Sequence, residues 1–423
     1  MHPTGMSWPF SRTSQHCIQN SDLRIPLINA PSDCPEASFF FRLATNPATA
    51  NRLEPHLASR LFDWDRLVAF ALRENAATIL DDRLSRLPAT FLPPEQRERI
   101  AKLGLVWTLK LKLLERRLHE SVRLLSDAGI EVTLLKGAAI ALTVYRRFED
   151  RPMADIDLLV DPARASEAHE LMQQNGWKLE TGGYPLDAWD THHHLPPLLD
   201  TSGSGLRLEL HVGLLPPGHG FQFDLPALRT RSPVLDAEGI QASVPDLHML
   251  AVHAAIHFAW CHKFMTGGTN VFRDLNAIER TADFSWEKFV ALANQTRSQA
   301  ACYWTLRLAK GLTDLAVPEA VLSTLAPSIG EPLLCVLERH FAQLALHSES
   351  ACPSATLRHR LWAFALQADG SGTNQANQWD AAVAESASQT VRALRRVPAH
   401  ARRIRAWSLY VTSMFAALPG MGG

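Results

Sequence analysis

Apolar positions along the chain change period several times, and those changes mark its elements. From Pro55 to Leu87 they recur at helical spacing, with Leu61, Leu67, Phe70, Ala71 and Leu80 as candidate core. Leu92-Pro93-Pro94-Glu95 reads as a helix start, because prolines are tolerated in a first turn and acids favour the dipole there. The stripe Ile100, Leu103, Trp107, Leu111, Leu114, Leu118 and Leu125 then predicts one long amphipathic helix to Ala128, ended by Gly129. At Val132–Leu135 the pattern changes to a short apolar run, a buried strand. Lys136-Gly137 breaks it, and Ala138 to Tyr145 reads as a short helix.

Ala154-Asp-Ile-Asp-Leu-Leu-Val160 alternates with period two, so Asp155 and Asp157 share one face of a strand and Ile156 and Leu158 the other. Two like charges on one face repel each other, and a divalent cation between them would resolve the conflict. Paired acids on a solvated strand end are the plainer alternative. Asp161-Pro162 opens a helix that Asn175-Gly176 ends, and Trp177 to Glu180 reads as a strand. His194 to Leu199 and Leu206 to Val212, either side of Gly203-Ser204-Gly205, predict a hairpin. In the second arm Arg207, Glu209 and His211 share a face. Helices are expected from Leu247 to Phe264, Asn270 to Arg280 and Trp286 to Asn294, with more to about Ala368, and then a polar linker at Ser371 to Gln378.

Strand, Gly137, short helix and Asp-x-Asp on the next strand resemble the nucleotidyltransferase superfamily that includes DNA polymerase β. The segments LLKG, RPMADIDLLV and LELHV resemble, more narrowly, its bacterial branch of uncharacterised nucleotidyltransferases. The likeness is strongest over residues 130–214, extends to about Arg280 and stops short of both ends. It implies an α+β fold: a small mixed β-sheet nucleotidyltransferase core with α-helical N-terminal and C-terminal regions. It also implies Mg²⁺ (or Mn²⁺) on Asp155, Asp157 and Glu209, and transfer of a nucleoside monophosphate from a nucleoside triphosphate to an acceptor hydroxyl. Asp274 matches an acidic helix position of that branch, and an ordinary salt-bridged helix residue is the alternative.

Where the superfamily has Gly-Ser, this chain has Gly137-Ala138, so the phosphate-holding hydroxyl is absent and Lys136 is expected to supply charge. Gly137 lets backbone approach a ligand, the helix behind it presents free N–H groups, and the Arg151 fork suits phosphate oxygens. Lys136, Gly137 and Arg151 are therefore the nucleotide-binding candidates. His211 is expected beside the acids, as a second-shell or substrate contact. A nucleotide- or partner-binding module without transfer is the alternative function.

Composition changes the picture only a little. The chain has 423 residues, expected to fall into a poorly ordered segment 1–50 with an apolar docking stretch at Phe39–Leu43, a helical region 51–129, a core 130–245, a helical domain 246–370 and a basic, aromatic segment 371–423. Lys+Arg 42 against Asp+Glu 43 gives no overall field for a polyanion. Six scattered cysteines without a CxxC pair, no signal-like N-terminus and no spanning apolar run predict a cytoplasmic protein. His192-His193-His194 looks like a zinc tract, but strand alternation would send its members to opposite faces. Six arginines between Arg392 and Arg405, followed by Trp407, Leu409, Tyr410 and Phe415, suit an anionic membrane surface or a protein partner, with Pro398 expected to divide any helix there.

Overall fold

A computed structural model describes residues 34–46, 62–88, 91–180, 189, 192–216, 218–226, 228, 234–237, 240–367 and 396–416. Seven strands form one mixed sheet: β1 (Thr133–Leu134), β2 (Asp155–Leu159), β3 (Trp177–Leu179), β4 (Leu198–Asp200), β5 (Arg207–His211), β6 (Val234–Ala237) and β7 (Ile240–Ser243). Their order is β3-β4-β5-β2-β1-β7-β6. β4 and β5 pair antiparallel as the expected hairpin, whose turn holds Gly203 and Gly205 at positive φ. β2 lies in the middle, antiparallel to β1 and parallel to β5. Ile156, Leu158, Leu208 and Leu210, the apolar positions of that central pair, are all buried. The fold is α+β, with helical flanks on both sides of the sheet.

The long helix runs Pro94–Asp127, buries Ile100, Leu111, Leu114, Leu118 and Leu125, and packs on β2, β7 and the helix Ala165–Gln174. Gly129, at φ 67°, ends it, and Ile130 N–H returns to the Leu125 carbonyl at 2.8 Å, so the last carbonyls are satisfied before β1 begins. Phe39–Leu43 lies within a full helix, Pro35–Thr45, wider than the docking stretch anticipated. Three of its phenylalanines in a row, Phe39 to Phe41, are buried. Phe41 meets Phe70 and Phe272 edge-to-face at 5.3 Å each, which ties this helix to Trp64–Arg73 and Gly268–Glu279. Truncating such a ring to alanine would cost about 3–5 kcal/mol. The remainder of segment 1–50 and the linker at Ser371–Gln378 lie outside the described residues.

One apolar cluster runs from Cys34 to Ala365, so the flanking helices and the sheet share a core. The C-terminal helix is continuous over Arg396–Ala416. Pro398 falls in its first turn, where the missing N–H has no intrahelical partner to lose, so the expected break does not occur. This helix docks on Glu331–Ala345: Ser413 Oγ accepts from Gln343 Nε2 at 2.6 Å and Arg339 Nε at 3.0 Å, and Tyr410 is buried beside His340. Ile404, Trp407, Leu409, Val411 and Phe415 stay exposed on it. Among the described residues no helix is long and apolar enough to cross a membrane, and the five described cysteines are free thiols.

Candidate active site

Register decides what β2 and β5 present together. Asp157 pairs with Glu209, Asp155 with Arg207 and Leu159 with His211 in a parallel ladder. Paired residues of neighbouring strands point to the same side, so one face carries Asp155, Asp157, Glu209 and His211. That face opens on a cleft of about 450 Å³ whose lining includes Lys136, Gly137, Arg151, Asp155, Asp157 and Glu209. Residues 52 positions apart in the chain thus meet on adjacent strands.

Asp157 is the hub. It is 3% exposed, and one oxygen, Oδ1, accepts from Lys136 Nζ at 2.7 Å and from His211 Nε2 at 2.8 Å. Burial works to raise its pKa, but these two partners hold the carboxyl well below its ordinary value. Burial likewise works against the charged Lys136, yet Asp157, then Glu209 and Asp155, keep its ammonium more firmly protonated than usual. Lys136 and Arg151 offset the Asp155 charge only in part. Burial first, and the Asp157 charge second, push its pKa up to about 6. Burial works to raise Glu209, but His211, Lys136 and His194 together hold it below its usual value. His211 is fully buried, with Nε2 3.6 Å from Glu209 Oε2 as well, and contact with the two acids holds its pKa above the ordinary one despite burial and Lys136.

Local backbone explains how Lys136 reaches in. The helix starts at Lys136 itself and ends at Thr143, two residues earlier at each end than the Ala-rich segment suggests. Lys136 sits at φ 45°, a strained position for a residue with a side chain. Leu135 N–H bonds the Asp157 carbonyl at 3.1 Å, pinning the turn to β2. Gly137 is required by a neighbour: a Cβ there would stand 2.8 Å from Arg151 Nη1 and 3.1 Å from Met153 Sδ.

Arg151 lines the cleft, but much of its fork is already engaged. Nη2 donates to Asp274 Oδ2 at 2.7 Å, Nε is shared between both Asp274 oxygens at 3.1 and 3.2 Å, and Nη1 donates to the Pro152 carbonyl at 3.1 Å. Of five N–H groups, one on each Nη remains for a ligand. Asp274 is fully buried and also accepts from Tyr145 Oη at 2.9 Å. Asn270 Nδ2 to the Pro152 carbonyl and Arg273 Nη2 to the Asp150 carbonyl complete the attachment of loop 150–152 to the helix Gly268–Glu279.

The far wall was not foreseen. It includes Arg73, Asn75, His257, Cys261, His262, Thr266 and Asn270. His257–Cys261 is a π-turn that interrupts the helix expected to run on to Phe264. Such turns gather at functional sites, but they leave no periodicity signal in a sequence. His193 and His194 also reach the cleft.

The profile of the uncharacterised nucleotidyltransferase family matches residues 60–314, which span the long helix, the whole sheet and the far wall. The chain belongs to this family of uncharacterised nucleotidyltransferases. Nucleotidyl transfer is the general activity that membership carries, and a nucleotide is the substrate class. No curated protein matches the chain. Within the family's span lie every site residue named above, including Arg73 and Asn75 at one end and Asp274 towards the other.

Proposed function

We propose that the chain moves a nucleoside monophosphate from a nucleoside triphosphate to an acceptor hydroxyl, with Mg²⁺ (or Mn²⁺) held by Asp155, Asp157 and Glu209. The observation that carries this reading is the β2–β5 register, which sets Asp157 beside Glu209 on one face above a cleft bordered by cations. The ligand atoms of Asp157, Glu209 and His211 lie within 4.8 Å of one another, with Asp155 on the same strand face, and carboxylate oxygens suit a hard divalent ion. Burial and the Asp157 charge raise the Asp155 pKa despite Lys136 and Arg151, a cost that a bound cation would relieve.

A bound divalent ion would lower the acceptor hydroxyl's pKa and neutralise charge on the leaving pyrophosphate. Lys136, clamped on Asp157, holds a fixed positive charge at the cleft floor, where the triphosphate would lie. The first-turn N–H groups behind Gly137 add partial positive charge, in place of the missing serine hydroxyl. Arg151 lines the same cleft, and its two remaining N–H groups suit phosphate oxygens. His211 works one step back: by donating to Asp157 Oδ1 it fixes which way that carboxylate turns.

The test is a panel of the four nucleoside triphosphates, labelled at the α-phosphate, incubated with purified protein, Mg²⁺ and cell extract. Mg²⁺-dependent label transfer with equimolar pyrophosphate release is the expected result. Nucleotide binding without pyrophosphate release across the panel would contradict transfer and leave a binding module.

A further inference from the structure

We propose that His192, His193 and His194 form a second metal site, suited to a transition ion such as Zn²⁺ and distinct from the carboxylate group. The proposal is independent of the transferase reading. Strand alternation would separate these side chains, but the chain bends at His192 and His193, and His194 alone bridges to His211. The three rings therefore converge, with centroids 4.2, 4.2 and 4.6 Å apart. One nitrogen from each lies within 4.8 Å of the others. Tetrahedral zinc with Zn–N bonds of about 2.0–2.1 Å needs its nitrogens roughly 3.4 Å apart, so small ring rotations close the set.

Two observations favour a ligand there. His194 Nδ1 donates to the Leu195 carbonyl at 2.7 Å, which leaves the Nε2 lone pair free; a backbone carbonyl on the other ring nitrogen is the usual support of a metal-bound imidazole. His193 Nδ1 is buried and takes no hydrogen bond among the described residues, a cost that a metal bond would remove.

Burial pushes His192 down to about 3, His194 to about 4 and His193 lower still, so all three stand at pH 7 in the neutral form that binds metals. Trp189 packs against His192 and His194 at 5.0 Å each, with His194 buried and the other two half-buried. Nitrogen donors favour zinc or cobalt over magnesium. Because His193 and His194 line the cleft, an ion here would fix its wall beside Glu209.

Full-length protein, stripped by a chelator, is titrated calorimetrically with Zn²⁺ in a large excess of Mg²⁺, and its Co²⁺ form is examined by visible absorption. One equivalent of Zn²⁺ should bind despite the Mg²⁺, and Co²⁺ should show the strong absorption of four-coordinate sites. His193→Gln and His192→Asn should each weaken Zn²⁺ binding by about a hundredfold, while folded Asp157→Asn binds almost as the parent does. Absence of Zn²⁺ binding, its persistence in both histidine variants, or its loss in Asp157→Asn would overturn the proposal. If the histidine variants do not fold, the parent's Co²⁺ spectrum decides: weak six-coordinate absorption would overturn it.

Discussion

Two ionic clusters meet at the cleft and differ in how their charge is balanced. On the loop side Arg151 and Asp274 form a multidentate pair, backed by Tyr145, with one positive charge against one negative. On the sheet side Asp155, Asp157 and Glu209 crowd around Lys136 and His211, and at Asp155 burial and repulsion outweigh the pull of Lys136 and Arg151. A balanced buried pair holds backbone in place and asks for no further ligand. An unbalanced one costs stability unless something positive arrives, and that is where binding is expected.

The balanced cluster should therefore fail as structure. Asp274→Asn leaves the Arg151 charge buried and unmatched, and should cost about 3–5 kcal/mol in urea unfolding. A loss below about 1 kcal/mol would remove the distinction between the two sides. Arg151→Lys separates its two roles: stability falls in either case, but weaker triphosphate binding follows only if the remaining guanidinium N–H groups reach phosphate.

The unbalanced cluster should fail as chemistry. Glu209→Gln keeps size and hydrogen bonding but removes a charge from the face proposed to bind the ion. Transfer should fall about 10²–10³-fold with nucleotide affinity little changed, measured as pyrophosphate release and equilibrium binding.

Asp155 gives the smallest effect and the sharpest contrast with its neighbour. Its folded pKa near 6 exceeds an unfolded value of 3.8, so the folded state holds the extra proton between them. Stability therefore falls as pH rises from about 4 to about 6 and stays lower above that. In chelator, Asp155→Asn should raise stability by at most about 3 kcal/mol at pH 7.5 and by nothing at pH 4. Asp157→Asn should do the reverse at pH 7.5, since it weakens the hold on Lys136 and His211. Equal melting shifts in the two variants would show that the acids are not differently placed.

Period-two alternation made the Asp155–Asp157 and Glu209–His211 faces legible, because a strand allows no other arrangement of alternate side chains. Their meeting was not legible from alternation, since it depends on a ladder joining segments 52 residues apart. The partner of Arg151 lies 123 positions away on a helix, beyond any local pattern. Strand logic misjudged His192–His194, where a bend replaces the strand, and missed the π-turn at His257. Pro398 misled for a related reason: its effect depends on where the helix begins.

The central claim is that the carboxylate face holds a divalent ion beneath a nucleotide. Equilibrium binding of each labelled nucleoside triphosphate, with Mg²⁺ or with chelator, to the parent protein and to Asp155→Asn/Asp157→Asn tests it most directly. The account predicts saturable binding of at least one nucleotide that requires Mg²⁺ and is lost in the double variant while the variant remains folded. Undiminished Mg²⁺-dependent binding by the folded double variant would contradict it.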